Sequence, residues 1–208
     1  MHATTKARRR NAAATRKAIL ASARRAFARA GFDGVGVREI AMGAGVTAML
    51  INRYFGSKER LFAEVMAETM ATPSILTQEI ITSSRAGEEI AAALIEQTKA
   101  GATPLDGFLI MLHSASSKRA AKIGCQQIER HHQKDMTAAL SGALAPQRAA
   151  LVLSLIAGYQ VMRQMIGLSA LANAEPKALV KILGPVFQQL VRAEQPRAAP
   201  SRPKGRLG

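Results

Sequence analysis

The sequence predicts an all-α protein. Its apolar residues are mostly Ala, Leu, Ile and Met, which favour helices, and aromatic residues make up only 4% of the chain. Apolar residues also recur at three- and four-residue spacing over most of the sequence, as they do on one face of a helix. With 208 residues and 48% hydrophobic content, the chain is long enough for one or two domains and a sizeable buried core.

The first helix is expected to follow a basic segment. Residues 1–14 have no hydrophobic periodicity and include Arg8, Arg9 and Arg10, so we expect a disordered basic arm there. From Thr15 apolar residues fall on one helical stripe, and basic residues occupy the rest of the wheel. This pattern predicts a first helix that ends at Gly31.

Two short helices joined by a glycine turn come next. Residues 37–44 have an apolar side that fits a short helix, and Gly45 can adopt the left-handed conformation that ends it. Thr47 is suited to cap the following helix, where Thr47, Ile51 and Phe55 repeat every four residues and mark the inward face. The outward face then consists of Ala48, Met49, Asn52 and Arg53. This pattern is typical of a helix-turn-helix.

A fourth helix links this head to the rest of the chain. Ser57 can cap it and places Lys58 in its first turn, where free N–H groups and a positive charge suit a phosphate. Apolar residues continue at helical spacing until Pro73. We therefore divide the chain into a basic arm at 1–14, a helix-turn-helix domain at 15–60, a helical body at 61–193 and a basic disordered tail at 194–208.

The body is expected to contain several more helices. Apolar spacing and helix-breaking residues place them at about 87–99, 104–112, 118–144, 146–171 and 176–193, while 74–86 is ambiguous. The last two of these helices carry more apolar surface than one body should hide. We therefore expect a homodimer in which they pair with the same helices of a second copy.

Basic residues are concentrated at the two ends of the chain, whose formal net charge is +15. Residues 1–60 hold 13 Lys and Arg against 3 Asp and Glu, whereas residues 61–191 hold 11 against 10. A charge that served solubility alone would be spread evenly. The positive charge of residues 1–60 instead coincides with the helix-turn-helix, which favours double-stranded DNA as a partner.

Other chemistry has little support in the sequence. Cys125 is the only cysteine, which excludes an intramolecular disulfide and favours a small buried hydrophobe over a redox sensor. No Ser/His/Asp, Cys/His or phosphate-loop arrangement is present, so we expect neither an enzyme nor a cofactor. The N-terminus lacks the apolar run of a signal peptide, and no apolar segment is long enough to span a bilayer. We therefore expect a cytoplasmic protein without a membrane partner.

Three histidines raise the question of a metal site. His113, His131 and His132 stand among acidic residues that include Glu129 and Asp135. The adjacent His131 and His132 diverge on a helix, however, and the remaining spacings are weak for a metal. Solvated or cavity-lining side chains are the better interpretation, so no metal site is predicted.

Four motifs in the first 61 residues carry a family resemblance: Gly31-Phe32, VREIA at 37–41, AGVT at 44–47 and YFGSKERL at 54–61. Together they resemble the TetR family of bacterial transcriptional regulators. Gly36 departs from the Ser or Thr that commonly caps the second helix of this family, and Asn52 replaces a common aromatic residue. The resemblance implies a DNA-binding regulator, most simply a ligand-responsive repressor that binds a palindromic operator as a homodimer.

Three sets of candidate site residues follow from these interpretations. By resemblance, the residues that face DNA are Arg38, Thr47, Ala48, Met49, Asn52, Arg53, Tyr54 and Lys58. The residues expected to line a small-molecule effector cavity are Met66, Met70, Phe108, Met111, His113 and Met162. The residues expected at the dimer interface are Leu155, Tyr159, Leu183 and Phe187.

The alternative function is an architectural DNA-binding protein whose tails coat DNA without an effector. This alternative does not explain the nearly neutral body at 61–191. A footprint on one palindrome distinguishes a repressor from uniform coverage by an architectural protein.

Overall fold

The computed structural model describes residues 2–70, 75–99 and 106–192, and in these ranges the chain forms helices joined by loops. The first four helices are α1 (His2–Ala30), α2 (Val37–Gly43), α3 (Ala48–Phe55) and α4 (Lys58–Met70). The next five are α5 (Gln78–Thr82), α6 (Ala86–Gln97), α7 (Asp106–Ser114), α8 (Lys118–Ile128) and α9 (Lys134–Ala139). The last three are α10 (Ala145–Gln160), α11 (Ser169–Ala172) and α12 (Pro176–Val191). The predicted all-α class is confirmed.

Helix α1 begins at His2, well before the predicted start at Thr15. The expectation of a disordered arm is therefore wrong for residues 2–14. Ala, Arg and Lys dominate this stretch and no Gly or Pro interrupts it, so helix propensity extends the helix even without an apolar stripe. The predicted tail at 194–208 lies outside the described residues.

Two helices continue into π-helical turns. Glu129–Gln133 joins α8 to α9, and Val161–Met165 extends α10. The single helix predicted at 118–144 is therefore α8, a π-helical turn and α9, and it ends at Ala139. Turns of this kind are rare and are often found at functional sites.

The first of two hydrophobic cores joins the head to the body. Its centre is an aromatic cluster in which the Phe62 ring meets the rings of Phe27 and Phe32 edge to face, each with a centroid distance of 5.1 Å. Ile110 of α7 and Ala120 of α8 belong to the same core. The head formed by α1–α4 is therefore completed by two helices of the body.

The second core is enclosed by α5, α6, α9, α10 and α12. Helices α6 and α12 approach until their backbones touch, because a Cβ atom on Gly87 would lie 2.3 Å from the Gly184 carbonyl oxygen. The Gly87 N–H donates to the Gln188 side chain over 2.7 Å. At the same C-terminal end of α12, the Arg148 guanidinium donates to the Leu190 carbonyl over 3.0 Å, which ties α12 to the start of α10.

Candidate DNA-binding surface and effector cavity

The turn between α2 and α3 has the geometry predicted from the sequence. Gly45 has a φ of 66°, in the left-handed region. The Val46 N–H donates to the Ala41 carbonyl over 3.0 Å, and the Gly45 N–H donates to the Met42 carbonyl over 3.1 Å. These two bonds form a Schellman motif, which ends α2 and directs the chain into α3.

Helix α3 presents the predicted outward face to solvent. Ile51 and Phe55 are buried in the first core, whereas Asn52 and Arg53 are exposed. Met49 is 79% exposed. Within the described ranges Arg53 makes no ion pair, so its guanidinium is available to a partner.

Helix α2 adds two exposed side chains to this surface. Arg38 was predicted and is exposed. Met42 was not predicted, although it is 77% exposed. Met42 lies four residues after the exposed Arg38, on the side of α2 that faces away from the buried Ile40 and Ala41.

Three other predicted DNA contacts have different surroundings. Ala48 and Tyr54 are half-buried and pack against the first core. Thr47 is the N-cap of α3, in extended backbone, and its hydroxyl makes no capping hydrogen bond. Thr47 is exposed, so its assignment to the inward face is wrong: it precedes the helix, where four-residue spacing does not apply.

Lys58 lies in the first turn of α4, as predicted. The Arg60 N–H donates to the Ser57 hydroxyl over 3.2 Å, which confirms Ser57 as the cap. The Lys58 ammonium lies 4.4 Å from the centroid of the Phe32 ring, within reach of a cation–π interaction. The positive end of the α4 dipole and this ammonium together suit a phosphate.

The neighbouring Glu59 connects this helix end to the body. Its carboxylate accepts a hydrogen bond from Arg119 of α8 over 2.7 Å. Hydrogen bonds from its own backbone N–H and from Ser57, followed by the Arg119 interaction, hold the pKa of Glu59 below its ordinary value. Glu59 therefore stays ionised at neutral pH. Its negative charge lies next to Lys58 in the chain and is offset by Arg119.

The end of α1 is packed directly against α7. A Cβ atom on Gly31 would lie 2.2 Å from the His113 carbonyl oxygen, and the φ of Gly31 is 68°. The Phe32 N–H donates to the Ser114 hydroxyl over 2.9 Å. The His113 Nδ1 lies 2.7 Å from the Ala28 carbonyl oxygen, and because a carbonyl only accepts, Nδ1 carries the hydrogen. These contacts couple the head to the body independently of α4.

A cavity of about 330 Å³ lies between α4, α7 and α8. Phe62 of α4 forms one wall, and Met111, Ser114 and Ala115 of α7 form another. Helix α8 contributes small side chains, namely Ala120, Ala121 and Gly124. A Cβ atom on Gly124 would meet nothing within 4 Å, so this glycine borders open space.

The polar end of this cavity is formed where α8 passes into the π-helical turn. Cys125, Ile128, Glu129 and Gln133 line it there, and Cys125 and Glu129 are exposed. The Cys125 thiol donates to the Glu129 carboxylate over 3.4 Å. This hydrogen bond is the main cause of a raised pKa of Cys125, which keeps the thiol protonated at neutral pH. The sequence interpretation of Cys125 as buried is wrong, because the helix turns it toward the cavity opening.

One of the six residues predicted to line the cavity is found in its lining. Met111 lines the cavity, whereas the other five are not among its described lining residues. Met66 is only 1% exposed in the first core, and Met70 packs against that core. Met162 is 47% exposed on the surface. His113 hydrogen-bonds to α1 instead, and Phe108 is half-buried on α7. Helical spacing assigned these side chains to the interior but could not say which of them border a gap.

A wider surface groove of about 790 Å³ runs between the start of α6 and α12. Its lining includes Arg85, Lys177 and Lys181 against the single carboxylate of Glu88. The charge of this groove is therefore positive, opposite to that of the cavity between α4, α7 and α8.

Helices α10 and α12 each leave large apolar side chains in solvent. Leu151 is 52% exposed and Met162 47% on the α10 side, and Ile182 is 66% exposed and Val186 41% on α12. Gly158 lies on the same side of α10, and a Cβ atom there would meet nothing within 4 Å. An open glycine among exposed apolar residues allows another helix to approach closely.

The residues predicted for the dimer interface are only partly on this face. Leu155 and Leu183 are half-buried against the second core. Phe187 is 0% and Tyr159 8% exposed, so both belong to the subunit's own core and their assignment to the interface is wrong. The Tyr159 hydroxyl accepts a hydrogen bond from Arg163 over 3.2 Å, and the same guanidinium donates to the Ile95 carbonyl of α6 over 2.8 Å. Both helices are apolar on two sides, and the sequence does not say which side the subunit buries.

Two negative findings bear on the alternatives. The described ranges contain no group of three or more His, Cys, Asp or Glu side chains placed to hold a metal ion. Among the helices of residues 2–70, 75–99 and 106–192, none combines the length and apolar character needed to cross a membrane.

Burial lowers the pKa of His132, with a smaller contribution from His131, so this side chain is neutral at pH 7.

Comparison with solved structures finds the same architecture in bacterial regulators. A TetR-family regulator from Streptomyces coelicolor is 24% identical, with a TM-score of 0.55 over 86% of this chain and 95% of that one. NalD, the secondary repressor of the MexAB-OprM multidrug efflux pump in Pseudomonas aeruginosa, is 20% identical, with a TM-score of 0.59 over 86% and 98%. The transcriptional regulator FadR from Bacillus subtilis, in complex with stearoyl-CoA, is 17% identical, with a TM-score of 0.59 over 86% and 99%.

Family models match both parts of the chain. A search of curated proteins gave no match. The model of bacterial regulatory proteins of the tetR family matches residues 19–65, which contain the turn at Gly45 and the exposed face of α3. The model of the tetracyclin repressor-like C-terminal domain matches residues 84–191, more than half of the chain. The protein therefore belongs to the tetR family of bacterial regulatory proteins.

Proposed function

We propose that the protein is a homodimeric transcriptional repressor that binds a palindromic operator and releases it when a small molecule occupies the cavity between α4, α7 and α8. The observation that carries the DNA-binding part is the exposed row of Met49, Asn52 and Arg53 beside the α4 N-terminus and Lys58. Family membership supports the same conclusion.

The chemistry of α3 supports base reading in the major groove. The Asn52 amide matches adenine N6 and N7, and the Arg53 guanidinium matches guanine O6 and N7. The exposed Met49 offers an apolar contact to a thymine methyl group. Lys58 lies past the turn at a helix N-terminus, where backbone phosphate is the partner within reach.

The exposed apolar face of α10 and α12 supports the homodimer. A two-fold dimer would place two copies of α3 about one helical turn of DNA apart, which matches a palindrome. Four large apolar side chains exposed on these two helices are costly in water and are stabilised when a second copy covers them.

The position of the cavity supports a ligand response. Phe62 lines it and also belongs to the aromatic cluster of the head. A ligand there would change DNA affinity by its differential affinity for the DNA-bound and released conformations. FadR, which shares this architecture, is described in complex with stearoyl-CoA, which supports effector binding.

An architectural role is the second candidate function. The net charge of +15 supports this role, but the role does not explain the cavity or the nearly neutral residues 61–191. We assign the protein no catalytic role and place it in the cytoplasm, on the nucleoid when it is bound to DNA.

Genome-wide binding by chromatin immunoprecipitation tests the proposal. A repressor of this kind should occupy one or a few sites, each with a palindrome that the purified protein protects in a footprint. Deleting the gene should raise transcription from those sites. Uniform coverage of the genome would establish the architectural function instead.

A further inference from the structure

We propose that the cavity between α4, α7 and α8 takes a small apolar cation, with the positive group beside Glu129 and the apolar part against Phe62. The inference rests on the proposed function in one respect: it takes this cavity to be the effector site. It adds the chemical class of the effector, which neither the fold nor the family specifies.

The charge of the cavity lining is the first argument. Glu129 is the one charged side chain among the described lining residues. Within the described part of the chain it forms no ion pair; its described side-chain contact is the hydrogen bond that it accepts from Cys125. Because that thiol stays protonated, no ion pair among the described residues offsets the carboxylate, which contributes a local charge of −1.

The shape of the cavity is the second argument. Phe62, Met111 and Ile128 provide an apolar wall, and the small side chains of α8 leave the space open. Its volume of about 330 Å³ is at the small end of the usual range for ligand sites. Glu129 is exposed, so a charged group beside it remains partly hydrated while the apolar part enters.

The electrostatic field of the whole protein opposes the binding of a cation. A chain with a formal net charge of +15 attracts anions in general, and the groove lined by Arg85, Lys177 and Lys181 does so locally. A preference for a cation must therefore come from a carboxylate close to the bound molecule. Removing the charge of Glu129 therefore tests whether this carboxylate causes the preference for a cation.

Binding of three probes that share one alkyl chain tests the proposal: octylammonium, 1-octanol and octanoate at pH 7.5. Isothermal titration of the full-length protein without DNA should give affinities in that order, with octylammonium about tenfold tighter than octanoate. In Glu129→Gln the affinities for octylammonium and octanoate should become equal or reverse in order, while the affinity for 1-octanol stays the same. Glu68→Gln is the matched control, since it removes an equal charge from an exposed position of α4 outside the cavity lining and should keep the original order.

A second variant locates the site. Gly124→Leu fills open space on a helix without meeting another atom within 4 Å of its Cβ, so the protein should fold and lose binding of both octylammonium and 1-octanol. Wild-type protein that binds octanoate as tightly as octylammonium, or binds no probe, overturns the proposal. So does a Glu129→Gln protein that keeps the preference, or a Gly124→Leu protein that still binds. The genomic footprint decides the proposed function separately, because DNA takes no part in these titrations.

Discussion

The Lys58 ammonium lies 4.4 Å above the ring of Phe32. The same ring meets Phe62 edge to face at 5.1 Å, and Phe62 is a wall of the cavity. One aromatic ring therefore separates a candidate phosphate contact from the ring that a ligand would touch. A ligand that displaces Phe62 would move the surface on which Lys58 rests, so this pair of contacts is a short physical connection between the cavity and DNA.

Replacing Phe32 with Leu tests this connection. The substitution removes the ring under Lys58, and the loss of a partly exposed cation–π interaction should raise the dissociation constant for DNA about two- to fivefold. Operator and random duplexes should be affected equally, since a phosphate contact carries no base information. Fluorescence anisotropy titrations on both duplexes measure the effect.

Phe27→Leu is the matched control for this prediction. Phe27 is 0% exposed and belongs to the same aromatic cluster, but the ring that lies beside Lys58 is that of Phe32. Both variants should lose comparable stability, and only Phe32→Leu should weaken DNA binding. Equal DNA affinities for the two variants would show that the Lys58–Phe32 contact does not position the ammonium.

The close approach of Gly31 to His113 leads to a second prediction. Gly31→Ala places a Cβ atom 2.2 Å from the His113 carbonyl oxygen and also puts alanine at a φ of 68°. The strained backbone alone costs about 1 kcal/mol, and the clash with α7 adds to it. The free energy of unfolding, measured by urea denaturation, should therefore fall by clearly more than that amount.

Gly45→Ala separates the two contributions. Gly45 has nearly the same φ, 66°, but a Cβ atom there would meet nothing within 4 Å. Its loss of stability should reflect the backbone strain alone. If Gly31→Ala is no more destabilising than Gly45→Ala, the contact between α1 and α7 yields easily and does not couple head to body.

The sequence predicts the head in detail because local chemistry determines it. The left-handed Gly45, the cap at Ser57 and the buried pair Ile51 and Phe55 each follow from residues only a few positions apart. One exception within the head, Thr47, stands one residue outside the helix whose periodicity was used to place it.

The body is less predictable because its features depend on which helices meet. Phe187 is buried and Ile182 is exposed on the same helix, and only the position of α6 decides between these two faces. The cavity is likewise a property of three helices, and its clearest trace in the sequence is the group of small residues Ala120, Ala121 and Gly124. The π-helical turn at Glu129–Gln133, which lies at the polar end of the cavity, has no simple sequence signal.

The exposed face of α10 and α12 leads to a third prediction. Ile182→Glu places a charge on a side chain that is 66% exposed in the subunit, so the fold should be kept while a dimer formed through this face is lost. Sedimentation velocity at micromolar concentration should show monomers, and operator affinity should fall because two half-sites are no longer bound together.

Leu112→Glu is the control for this variant. Leu112 is 48% exposed on α7, so the same charge is introduced on an apolar residue away from α10 and α12. This protein should remain a dimer. A dimeric Ile182→Glu protein, or a monomeric wild type, would show that this face is not the interface.

The last prediction separates base reading from phosphate anchoring in the head. Asn52 and Arg53 are exposed on α3, whereas Lys58 lies past the turn at the start of α4. Asn52→Ala should cost about 1–3 kcal/mol on the operator and relax the preference for one base pair, with little loss on random DNA. Lys58→Ala should weaken both duplexes alike and make the slope of log affinity against log salt shallower by about one. Titrations on operator and scrambled duplexes at several salt concentrations distinguish the two roles. If Asn52→Ala weakens both duplexes equally, Asn52 contacts the backbone, and base reading must then come from Arg53, Met49 or the unpredicted Met42.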